Sequence, residues 1–403
     1  MQRSTRVFVA LALLACALSF LKFNHCVSTG WQSPDQYVHA CYSDIPALFG
    51  ERGLSDGQWA YGQGVDSVEY PVVTGVVMWA IAKVTPEKSA TAYFYLNALL
   101  LSLLFIGTAL ILRRVKPEFA HLSLVAPAVI GSLFINWDMW AIISMLVAIY
   151  WFDKKRYEYS AVALGISIST KFMPIFLLFP ILFIFWRRSE LGKFVKFSAI
   201  TLATFLVINF PVAITTPEGW WRFYDLNLNR GSDWGSIWYS LSALGIDLAN
   251  LNYLSILLLL VGFVAVSIYL LELRSIPTLA STSFIVLATV MCVSKVYSPQ
   301  YVLWLVPLAV IALSSKKDLY AFWIWQGAEA IYHIAIWQHL ATVTDAKFGL
   351  PLNLYALISL ARIAATLYFV VVLVRRGLAS GGQSLDSHRS LREFLFESAD
   401  KYP

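Results

Sequence analysis

The chain has 403 residues, of which 59% are hydrophobic and 13% charged, with 15 Trp, 20 Tyr and 26 Phe. That composition excludes an ordinary soluble domain and fits an all-α, polytopic protein folded in lipid. The net charge of +6 is spread in small clusters between apolar runs rather than gathered on one stripe, which excludes a nucleic-acid partner and follows the positive-inside pattern.

In chain order, Arg3 and Arg6 precede an apolar run from Val7 to Phe20. The pattern reads either as a retained first helix or as a secretory signal, and the many later spans favour the first reading. Either way the next segment, about 24–90, is the first outer loop. Four scattered cysteines offer no metal-binding spacing. Cys26 and Cys41 share the outer loop, where oxidising conditions allow a bridge worth roughly 3 kcal/mol; the alternative is two free thiols.

The apolar stretch Pro71 to Val84 is short for a span. Counting it as one would also put the Arg113/Arg114/Lys116 cluster outside, so it is expected to be a juxtamembrane or re-entrant helix on the outer face. About twelve spans remain, near 7–23, 91–112, 119–135, 139–152, 158–170, 172–186, 195–213, 252–271, 278–294, 301–314, 319–336 and 354–374. Every basic cluster then lies on the cytoplasmic side. Strand alternation is absent, so helices rather than a barrel satisfy the backbone in lipid. Residues 1–376 form one transmembrane domain, and the Gly/Ser-rich then charged segment 377–403 is expected to be a disordered cytoplasmic tail.

Polar groups near or inside the membrane stand out, since burying them costs several kcal/mol unless they are paired or functional. Asp44 in "CYSDIP" is a carboxylate held close to the membrane surface by the apolar "DIPALFG". It is either a helix N-cap or a working group. Gln326, Glu329 and His333 share one face of a late span, and Arg362 in the last span sits at comparable depth; a Glu329–Arg362 ion pair is the structural alternative to a functional role. Lys171, Lys295, Arg222 and Arg230 put positive charge at outer span ends, either to bind an anion or to snorkel to headgroups. Asp138 in "NWDMW" is a second outer carboxylate, and Glu69 lies in the first outer loop beside Tyr70. The tryptophans around 220–238 read as an interfacial belt whose faces would also suit a sugar.

One well-placed carboxylate, a histidine and several cations fit attack by a hydroxyl on a carbon whose leaving group is an anion. A phosphate leaving group needs no acid to protonate it, only cations whose interaction strengthens as charge develops, a role for Lys171, Lys295 and Arg362. Asp44 would be the general base if its surroundings raise its pKa from about 3.9. His333 would position Asp44 or the acceptor.

The ordered motifs "CYSDIP", "EYPVVTGVVMW", "NWDMWA", "TKFMP", "SDWGSIWY" and "SKVYSPQYVLWLVPL" resemble family 87 of the GT-C glycosyltransferases, the polyprenol-phosphate-mannose-dependent mannosyltransferases of actinobacteria, over about residues 36–370. The resemblance implies inverting transfer of mannose from a polyprenyl-phosphate donor to a membrane glycolipid or lipoglycan of the phosphatidylinositol mannoside type. Transfer would occur on the extracytoplasmic face of the plasma membrane. It implies a catalytic pair of Asp44 and His333 and the juxtamembrane-helix arrangement in the first outer loop. Tyr42, Glu69, Asp138, Lys171, Arg230, Lys295, Glu329 and Arg362 are the expected substrate-binding residues. No metal or cofactor is demanded, and the paired-acid DxD of metal-using relatives is missing. A pentose such as arabinofuranose on the same carrier is an equally open sugar. A lipid or sugar transporter is the rival class, although the inverted repeats it would need are not evident.

Overall fold

A computed structural model describes residues 2–246 and 248–379. The expected tail lies almost wholly outside the described residues; only its first three residues fall inside, and they continue the last helix. Among the described residues the chain is helical, with no strand. The helices are α1 (Gln2–Lys22), α2 (Asn24–Thr29), α3 (Asp35–Val38), α4 (Asp44–Glu51), α5 (Val72–Val84), α6 (Ala90–Val115), α7 (Leu122–Val125), α8 (Pro127–Ser132), α9 (Asp138–Asp153) and α10 (Tyr157–Thr170). They continue as α11 (Leu178–Arg187), α12 (Leu191–Thr215), α13 (Pro217–Asn229), α14 (Ile237–Ala243), α15 (Leu251–Glu272), α16 (Leu279–Val293), α17 (Val302–Ala312), α18 (Lys316–Val343) and α19 (Leu352–Ala379).

Among the described residues five stretches are long and apolar enough to cross a membrane: Thr5–Lys22, Ala90–Val115, Leu191–Thr215, Leu251–Glu272 and Leu352–Ala379. The expected total of twelve rests on shorter helices as well. One expected span, 119–135, is divided into α7 and α8. Pro127 has no N–H to continue a helix and biases Ala126 to the extended conformation it adopts. With 13 residues, α5 is about 20 Å long, short of the roughly 30 Å hydrocarbon slab. It packs against α6, α10 and α12.

Burial follows chain position. Helices α16 and α17 are buried along nearly their whole length, whereas α15 exposes Tyr253, Ile256, Leu257, Leu260, Val261 and Val264. An apolar face of that extent suits acyl chains, not water. Gly165 lets α10 and α12 approach closely, since a Cβ there would lie 2.8 Å from the Thr201 carbonyl.

Several of the basic clusters meet at one end of the bundle. An Arg188 Nη1 donates to Tyr157 Oη (3.0 Å), Arg187 Nη1 to the carbonyls of Leu270 and Leu273 (3.1 and 2.9 Å), and Arg376 pairs with Asp318. Helix direction then sorts the other end. From the basic end, α10 and α18 run to Lys171 and Thr344, and α9 arrives there from Asp138. The segments at that far end enclose the cavity described below.

Before the cavity, a disulfide joins Cys26 and Cys41, while Cys16 and Cys292 are buried thiols. Alkylation in denaturant should therefore label two cysteines per chain without reductant and four after it. Cys41→Ser should cost about 3 kcal/mol of stability, from the entropy of a loop of this size, read as a lower thermal midpoint.

Candidate functional site

The start of α4 is clasped to the turn before α9. Ser43 Oγ donates to the Phe134 carbonyl (2.8 Å) and accepts from Ile45 N (3.2 Å), while Asp44 N donates to the Ile135 carbonyl (2.9 Å). Ser43 is thus the N-cap, and Asp44 is released from the capping role that was its structural alternative. Its carboxylate instead meets the next residue of the facing segment. Asn136 Nδ2 donates to Asp44 Oδ2 (2.6 Å) and to Tyr70 Oη (2.7 Å), and Asn136 Oδ1 accepts from Lys171 Nζ (3.0 Å) and Trp137 N (2.6 Å). One amide therefore orders the carboxylate, a phenol and an ammonium.

Lys171 comes from the C-terminus of α10, where the chain turns extended ahead of Pro174. Its ammonium lies 3.9 Å from the centre of the Tyr70 ring and 3.5 Å from Asp138 Oδ1, which also accepts from Trp304 Nε1 (3.1 Å). Burial pushes the Asp44 carboxyl up to about 6, against the hydrogen bonds from Tyr42 and Asn136 and the charge of Lys171. Burial wins because no cation pairs directly with Asp44.

These groups open on a cavity of about 830 Å³. Of the expected site residues, Asp44, Tyr42, Glu69, Asp138, Lys171 and Arg230 line it. Glu69 is held by Arg52 in a two-pronged pair (2.6 and 3.0 Å), and Arg230 pairs with Asp233 (3.1 Å). Aromatic rings also line the cavity. Tyr42 stacks at 5.6 Å on Tyr37 and lies 5.4 Å from Trp337.

His333, Glu329, Lys295 and Arg362, also expected at the site, are not among the residues that line the cavity. His333 is one turn behind Trp337, with Nε2 2.8 Å from Lys22 Nζ, and Lys22 also donates to the Gly131 carbonyl (2.6 Å). The polar stripe of α18 faces the bundle, whereas Tyr332, Ile336 and Trp337 face the cavity. Glu329 and Arg362 are the buried ion pair (2.8 Å). Arg362 is further satisfied by the carbonyls of Tyr297 and Ser298 (2.7 and 3.1 Å), and its guanidinium packs between the rings of Tyr297 and Tyr332. Lys295 donates to the Arg230 carbonyl (2.8 Å) and Asn252 Oδ1 (2.6 Å), tying the end of α13 in place. Arg222, also expected at an outer span end, is outside the lining as well.

Asn136, Tyr70 and Trp337 were not singled out from sequence. Asn136 and Tyr70 lie inside the quoted motifs "NWDMWA" and "EYPVVTGVVMW", the only signal available for them.

No family model matches the chain, and no curated protein matches it. Among solved structures, the crystal structure of ArnT from Cupriavidus metallidurans bound to undecaprenyl phosphate is similar. The match covers 94% of this chain and 78% of that one, at 15% identity and a TM-score of 0.46.

The geometry makes Arg362 a holding residue. Arg362→Ala, which leaves Glu329 buried without its partner, should cost about 3–5 kcal/mol. In a thermal-unfolding assay the loss should appear as a lower midpoint, and a midpoint unchanged from wild type would remove the holding role.

Proposed function

We propose that this chain is an inverting membrane glycosyltransferase that moves mannose from a polyprenyl-phosphate carrier to a glycolipid or lipoglycan acceptor. The observation that carries this reading is the Asp44 carboxylate, oriented by Asn136 and poised near pH 6, on a cavity wall it shares with Lys171. The order of the sequence motifs supports the same chemistry. The cavity lies opposite the basic residues, which under the positive-inside rule supports a site on the extracytoplasmic face of the plasma membrane.

In the proposed reaction the acceptor hydroxyl attacks the anomeric carbon from the face opposite the phosphate. A carbon–oxygen bond forms to the acceptor as the bond to the phosphate oxygen breaks. The electron pair leaves with the polyprenyl phosphate, and the hydroxyl proton passes to Asp44. Attack from the opposite face inverts the anomeric centre. Lys171 and Arg230 are the cations at the cavity that would take up charge developing on the phosphate. Both already carry a carboxylate partner, Asp138 and Asp233, so the phosphate would share each cation rather than meet it bare.

The remaining lining fits the two ends of such a donor. Tyr37, Tyr42 and Trp337 offer ring faces to a sugar, and Phe172, Met173 and Phe176 offer an apolar passage to a prenyl chain. His333 has no contact role here; through Lys22 and Trp337 it fixes the wall on which the sugar rests.

With labelled polyprenyl-phosphate mannose and a glycolipid acceptor, Asp44→Asn should reduce turnover about 10²–10⁴-fold while insertion and yield stay unchanged. Transfer at the wild-type rate would end the assignment of Asp44 as base. The base works as the carboxylate, so wild-type turnover should be level above about pH 6 and fall as pH drops through that value. A rate that holds steady down to pH 4 would exclude titration of Asp44 in the rate-limiting step.

A further inference from the structure

We propose that His25, Asp35 and His39 form a zinc-type metal site on the loop that precedes the cavity. His25 comes from α2, and Asp35 and His39 lie one helical turn apart at α3. The two imidazoles flank one carboxylate, with His25 Nε2 2.6 Å from Asp35 Oδ2 and His39 Nδ1 3.0 Å from Asp35 Oδ1, and the rings stack at 3.6 Å. The candidate ligand atoms all lie within 4.8 Å of one another.

Two imidazole nitrogens and a carboxylate are a donor set that Zn²⁺ takes with water as fourth ligand, whereas an all-oxygen set would suit Mg²⁺ or Ca²⁺. Tetrahedral bonds of about 2.0–2.1 Å space the donors about 3.4 Å apart, so the His25–Asp35 contact need open by less than about 1 Å to admit the ion. Thr29 Oγ1 donates to Asp35 Oδ2 (3.2 Å) and helps to hold the carboxylate, as supporting hydrogen bonds do at metal sites.

An independent feature assembles the same three donors. The Cys26–Cys41 disulfide closes the loop that carries Asp35 and His39, and His25 is the residue immediately before it. The donors are thus drawn together covalently before any ion arrives. All three side chains are partly open to solvent, which gives the ion a path in.

None of the three lines the cavity, so the ion would be structural and distinct from the sugar-transfer chemistry. Its effect would reach the cavity through the same loop. Tyr37 and Tyr42 stand on the cavity wall, and Gln338 Nε2 donates to the Val38 carbonyl (3.0 Å), fastening α3 to α18.

The test uses the full chain in detergent, carrying an affinity tag without histidine, stripped with EDTA and then dialysed against ZnCl₂. Elemental analysis should find one zinc per chain and the thermal midpoint should rise, and both should be lost in the His25→Ala/His39→Ala double variant. Wild-type protein that retains no zinc, or a double variant that retains as much as wild type, overturns the proposal. A second arm needs no variant. Zinc should protect His25 and His39 from diethylpyrocarbonate, with the adducts located by peptide mass spectrometry. Equal modification with and without zinc overturns it.

Discussion

The amide of Asn136 is the interaction on which the site depends. Its nitrogen fixes Asp44 and Tyr70, and its oxygen fixes Lys171 and the first N–H of the following turn. An amide can do this because it offers donors on one side and acceptor lone pairs on the other. A carboxylate in its place would repel Asp44, and an apolar residue would take one hydrogen-bond partner each from Asp44, Tyr70 and Lys171. The clasp between Ser43–Asp44 and Phe134–Ile135 supplies the registry that lets one amide reach all of them.

The two kinds of charge in the molecule are handled differently. Deep in the bundle, Glu329 and Arg362 are paired, hydrogen-bonded and packed between rings, as charges removed from water must be. At the cavity, Asp44 is held by neutral donors, and the nearest ammonium is bound to the other end of the same amide. A carboxylate in that setting keeps the capacity to accept a proton. An ion pair would have removed it.

Hydropathy and charge placement made the helical, membrane-embedded character legible, and the short helix α5 followed from the length of its apolar run together with parity. Asp44 was legible because a bare carboxylate at a membrane boundary has few uses. The direction of the His333 face was not legible, because helical periodicity groups residues on a face without saying which way that face turns. Its stripe looks into the bundle, and Trp337, one turn on, looks into the cavity. Asn136 and Tyr70 were hidden for another reason. An uncharged amide and one phenol among 20 tyrosines leave no mark on hydropathy or charge. The break at Pro127 was present in the sequence, but a continuous apolar run outweighed it.

The connection between α16 and α17 touches both worlds. Arg362 holds the carbonyls of Tyr297 and Ser298, the Lys295 carbonyl accepts from Asp233 N (2.8 Å), and Gly235 rests against the Tyr297 carbonyl with no room for a side chain. Residues 230–236 and 294–299 are therefore stitched into one unit. Anyone grafting the 217–243 segment from a homologue would have to transplant 294–299 with it, because either half alone would arrive without its seam.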